Sequence, residues 1–166
     1  LLLTTSFLAT FFLPYHSASA SPLIEDFIAN PAAEEYMLNE LIASGYADLA
    51  LAFPNPNQRV ISTDFFLSTL NNPEIQSKKS IYIANTTIAG VLDASASNIP
   101  YILFLNVVSF TDYIIFSNSV FTSLTILDST FQQGVEFQNI NAGDFDLRNN
   151  IFQHGINLYG AQIGEL

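Results

Sequence analysis

The chain has 166 residues, of which 49% are apolar and only 11% charged, with 15 Phe and 7 Tyr. That balance fits one packed, β-rich domain plus a leader and excludes a disordered chain. The formal charge of −11 sets 15 acids against Arg59, Lys78, Lys79 and Arg148. Four scattered cations cannot build a phosphate-neutralising stripe, so nucleic acid is not expected as a partner.

Residues 1–20 read as an export signal: an apolar run from Leu1 to Leu13, a break at Pro14, and Ala18-Ser19-Ala20 as a cleavage site. The run is shorter than the ~20 apolar residues that cross a bilayer, so no membrane span is expected once the signal is cleaved. No Met, Lys or Arg precedes it, and the natural start is expected upstream. The mature chain is then periplasmic, cell-surface or extracellular.

Residues 21–80 read as a helical lead-in. Asn30-Pro31 starts a helix with acids Glu34 and Glu35 in its first turn, Tyr36, Leu38, Leu41 and Ile42 give it an apolar face, and Gly45 ends it. A second helix is expected over 46–52, stopping before Pro54, and a third over 64–70, capped by Ser62 or Thr63. Residues 75–80, with Lys78 and Lys79, read as a solvated polar link. A solenoid's first coil exposes an apolar end, and the lead-in helices are the candidates to cover it.

Residues 81–166 carry a repeat. Large apolar residues fall at Phe116, Phe121, Ile126, Phe131, then Phe137, Ala142, Leu147, Phe152, then Leu158, Ile163. The step is five residues, with one extra after each set of four, so the period is 21. Tyr113-Ile114-Ile115-Phe116-Ser117-Asn118 is matched by Gly134-Val135-Glu136-Phe137-Gln138-Asn139 and by Gly155-Ile156-Asn157-Leu158-Tyr159-Gly160. The residue two before each centre is apolar or small, among them Ile114, Ser119, Leu124, Ser129, Val135 and Ile140. Positions two apart on an extended segment share a side, so both sets point inward. The residues after each centre are the Asn, Asp, Ser and Gln that turn a chain. Four short faces closing one coil predict a stack of parallel strands ~4.8 Å apart, with Phe116, Phe137 and Leu158 in one column. A looser version starts at Ile81, and the extra residue predicts a wider corner near Gly134 and Gly155.

Segments such as Ser119-Val120-Phe121-Thr122-Ser123, Ser129-Thr130-Phe131-Gln132-Gln133 and Ala161-Gln162-Ile163-Gly164-Glu165 resemble the pentapeptide-repeat proteins, a family of right-handed parallel β-helices with a roughly square cross-section. Strict matches cover about a third of the chain, and Asp or Asn rarely precedes the centre as the family prefers (Asn141, Asp146 and Asn157 do). The expected fold is therefore mainly β: a right-handed parallel β-helix behind a small helical cap. The last coil stops unfinished at Leu166, so a fragment is expected, with further coils following or with end-to-end self-association.

For function, the sequence supports a non-enzymatic exported scaffold, structural or binding a protein or glycan. Outward apolar residues Ile115, Val120, Leu127 and Ile151 are its candidate partner face. No cofactor is expected. Two alternatives come from the resemblance and the architecture: an acidic rod that mimics nucleic acid to bind a DNA-handling enzyme, and a β-helix carbohydrate-active enzyme. For the second, the coils offer only His154 and Arg148 as basic groups. Cys is absent, which excludes thiolate metal sites, and Asp144, Asp146 and Asn149 are oxygen donors without the spacing of a calcium loop.

Overall fold

The computed structural model describes residues 27–164, and the export signal expected over 1–20 lies outside them. From residue 80 onward the chain winds as a parallel β-solenoid of about four turns. Long strands β3 (Ser80–Ala89), β5 (Asn98–Phe110), β7 (Val120–Leu127) and β10 (Asn141–Asp146) stack in that order, and β13 (Gln162–Ile163) follows. Shorter strands β8 (Thr130–Phe131) and β11 (Ile151–Phe152) extend the same sheet beside β5. A separate four-stranded sheet is built from β4 (Leu92–Asp93), β6 (Ile114–Ile115), β9 (Val135–Glu136) and β12 (Ile156–Asn157). The parallel solenoid of about 21 residues per coil is the one expected.

Register gives the coil length directly. Val120 sits beside Asn141, and Asn141 beside Gln162, both 21 residues apart. The first coil is one residue longer: Ser80 pairs with Ile102 and Leu92 with Ile114, each 22 residues on. The extra residue is a bulge at Pro100-Tyr101, opposite Thr122. It turns the Tyr101 ring into the core, where its hydroxyl donates to Leu70 O at 3.1 Å.

The five-residue step dictates the interior. Every centre and minus-two residue from Ile114 to Ala142 is buried. Phe110, Phe131 and Phe152 form one stacked column with ring centroids 4.8 and 4.7 Å apart, and Phe116 stacks on Phe137 at 5.6 Å. The small minus-two residues tie coils together. Buried Ser129 Oγ accepts from Val108 N at 3.0 Å and donates to Leu127 O at 2.7 Å. Ser119 Oγ likewise accepts from Ser97 N and donates to Ala94 O. Asn150 repeats the device one coil on, accepting from Ser129 N and donating to Ile126 O. Each supplies an acceptor to a corner N–H that the ladder leaves without a partner.

Two corners of each coil are left-handed. Asn85, Val107, Asp128 and Asn149 form one column of positive-φ residues; Ala96, Asn118, Asn139 and Gly160 form the other. Asn, Asp and Gly tolerate that conformation, but Val107 and Ala96 enter it against their preference.

The lead-in contains more than helices. Helix α1 (Pro31–Ser44) starts on an Asn30 side-chain cap and ends at Gly45. Gly45 has φ 77°, and a Cβ there would lie 2.9 Å from Ser80 O, so only glycine fits. The buried stripe of α1 is Ala33, Met37 and Leu41, with Tyr36 and Ile42 at its margin, so the face is turned from the one expected. Residues 46–52, expected as one helix, divide into strand β1 (Tyr46–Asp48) and helix α2 (Leu49–Ala52). The strand wins there because Tyr46–Asp48 pairs in parallel with Tyr82–Ala84. A further strand, β2 (Val60–Ser62), pairs with Thr87–Ala89. The cap therefore lays two strands on the first coil, and helices α3 (Thr63–Leu70) and α4 (Pro73–Gln76) close its end.

The link expected over 75–80 is likewise corrected, since Ile75 is buried in α4 and Lys78 is half-buried. Its Nζ donates to Ile42 O at 2.5 Å and caps the C-terminal end of α1, which has no basic residue in its own last turn. One apolar core runs unbroken from Ala33 in the cap to Ala142 in the third coil.

Candidate binding face

Outer side chains are set by the same register, so each column has a definite chemistry. The four outward residues singled out from sequence fall in four different columns. Ile115 lies on β6 between Asp93 and Glu136. Val120 lies between Asn98 and Asn141, Leu127 beside Asn106, and Ile151 beside Thr130. The structure does not bring them together. Each has polar residues in its column, and Ile115 alone belongs to the four-stranded sheet.

Two outer surfaces carry large apolar groups. On the long-strand sheet, Tyr46, Tyr82 and Phe104 stack at 4.8 and 4.7 Å with nearly parallel planes. Asn106 Nδ2 donates to Tyr82 Oη at 3.0 Å. Stacked rings cover one another's faces and leave their edges outward, so this ladder glues cap strand β1 to the coils. Its column continues through Thr125 to Asp146, which Arg148 holds in a bidentate pair at 2.8 Å.

The second surface is the four-stranded sheet. Val91 is 56% and Tyr113 50% exposed, and Ile115 is half-buried beside them. Tyr113 has neighbouring coils on both sides, so its exposure is not an end effect. Its ring rests on Gly134, where an added Cβ would lie 2.6 Å from the ring. The absence of a side chain at Gly134 is what lets the ring lie there. Asp93 on β4 and Glu136 on β9 flank Ile115 in the adjoining column. Hydrogen bonds from the Ser95 side chain and backbone hold the Asp93 carboxyl below the usual carboxylate range. Glu136 Oε2 accepts from Asn157 Nδ2 at 2.6 Å.

Among the described residues no three His, Cys, Asp or Glu side chains gather to hold a metal ion. Asp144 and Asn149 are exposed, and Asp146 is engaged by Arg148. His154 is exposed in the turn after β11. No helix of the described residues is long and apolar enough to cross a membrane. Comparison with protein-family models gives no match, and comparisons with curated proteins and with solved structures give none either.

Proposed function

We propose that the chain is an exported, non-enzymatic scaffold of the pentapeptide-repeat kind that binds a partner on an outer face of its coils. The observation that carries this reading is Tyr113, left half-exposed between two coils at the edge of the four-stranded sheet, with Val91 before it in the same column and Ile115 beside it. Exposed apolar residues elsewhere, such as Val120 between Asn98 and Asn141, stand singly among polar neighbours, whereas Val91, Tyr113 and Ile115 fill two adjoining columns of one surface. The resemblance to pentapeptide-repeat proteins is supported by the inward five-residue step. Export is supported by the residue pattern of 1–20 alone.

The test is a glycan-array screen together with a pull-down from cell-surface protein, using the chain without residues 1–20. A saturable hit lost on Tyr113→Ser with Val91→Asp supports the scaffold reading. Silence in both screens, or a hit indifferent to that pair, removes it.

A further inference from the structure

We infer that the partner of the four-stranded-sheet face is a cationic, extended segment of another protein, an inference that rests on the scaffold reading above. Three observations select this occupant over a glycan. The first is charge. Residues 80–147 contain six acids and no Lys or Arg, and the face itself carries Asp93 and Glu136, with Asp112 at its border. The chain's own cations are engaged or lie elsewhere: Arg59 donates to Phe53 O and Pro54 O, Lys78 to Ile42 O, and Arg148 to Asp146. Lys79 is exposed beside the long-strand sheet, where Ile102 N donates to its carbonyl.

The second observation is aromatic. Tyr113 stands singly and half-exposed, unlike the mutually covered rings of the other face, and an available phenol face attracts Lys or Arg. The third is spacing. Asp93 and Glu136 occupy the same column two coils apart, about 9.6 Å at the usual strand separation. A polyproline II segment returns to the same side every third residue, about 9.3 Å on. Lying along the solenoid axis, such a segment sets one cation over Asp93 and the next over Glu136, and its apolar residues meet Val91, Tyr113 and Ile115.

The experiment is an amide-resolved NMR titration of the chain with two peptides of identical composition. In one, Lys alternates with two prolines; in the other, all lysines are in one block. A neutral cello-oligosaccharide serves as a third ligand. The expected result is a set of shifts confined to residues 91–95, 112–117 and 133–136 for the spaced peptide. Asp93→Asn with Glu136→Gln weakens its binding roughly tenfold, as expected for two ion pairs at the surface. Tyr113→Leu weakens it about threefold. These variants keep the hydrogen-bond acceptors of Asp93 and Glu136, so the fold is retained.

Equal shifts from both peptides, or shifts that follow every acidic corner including Asp144, reduce the effect to counter-ion attraction and overturn the inference. Shifts at the same residues from the oligosaccharide, with none from the peptides, overturn the partner class and leave the scaffold reading standing. Silence from all three ligands, when the surface-protein pull-down yields a hit lost on Tyr113→Ser with Val91→Asp, likewise overturns the partner class alone. Silence in titration and screens together removes both.

Discussion

The coils from Ile102 onward and the chain before them solve the same problem by different means. In the later coils each residue sees a copy of itself above and below, so one environment repeats and the sequence repeats with it: Phe110, Phe131 and Phe152 stack in register, and Ser129 and Asn150 perform the same bridging task. The first coil has a copy of each column on one side only. There the cap supplies the other side with α1, β1, β2 and α3, whose contacts follow no five-residue step. The bulge at Pro100-Tyr101 lies on this border and reaches the cap through the Leu70 carbonyl. Periodicity is thus a property of the neighbours, and it fades where the neighbours stop being copies.

Substitutions can break or sharpen this contrast. Phe131→Ala should be the most damaging, since it empties the middle of a three-ring column. A loss of about 3–5 kcal/mol in denaturant unfolding is expected, felt by the whole solenoid through its single core. Ser129→Ala strands the buried Val108 N–H and should cost about 1–3 kcal/mol, and the shape-matched Ser129→Cys should not rescue it, because a thiol is the poorer acceptor.

Tyr101→Phe should cost about 1 kcal/mol and act at the border, with faster amide exchange in α3 than in β7 as the readout. This variant also carries a pH signature. Burial raises the Tyr101 phenol above its ordinary value of 10.0. Its contribution is therefore fully present below about pH 10 and is lost as pH rises, because the unfolded chain ionises first. Alkaline unfolding midpoints should shift less for Tyr101→Phe than for the parent. The smallest effect is a gain. Val107 is exposed and left-handed at φ 53°, so Val107→Asn should stabilise by about 1 kcal/mol and bring the irregular coil toward its successors.

The same contrast decides how much could be read from residue order. Inward and outward sides of the later coils were legible because the step of five, read with the two-residue alternation of a strand, leaves one assignment. The left-handed corner at Asn118, Asn139 and Gly160 was equally visible. Counted at the later period of 21, Asn106 would take the corner that matches Asn85, but the bulge moves the register by one and gives the corner to Val107. Strands β1 and β2 have three residues each and no pattern of their own, and their state is imposed by β3. The roles of Lys78 and Arg59 depend on carbonyls brought close by folding. As for the binding face, outwardness was readable residue by residue. Which outward residues share a surface depends on where the corners fall, and so Tyr113, the neighbour of Ile115, was passed over.

The constant register of the later coils also makes the solenoid a ruler. A duplication of residues 123–143 would insert one whole coil, carry every column across intact and lengthen the rod by about 4.8 Å. An insertion of 20 residues would instead set each downstream inward residue against an outward one. Growth by whole coils is therefore nearly neutral, and the distance between the capped end and anything attached beyond the last coil can change in units of one strand spacing without a new fold having to be found.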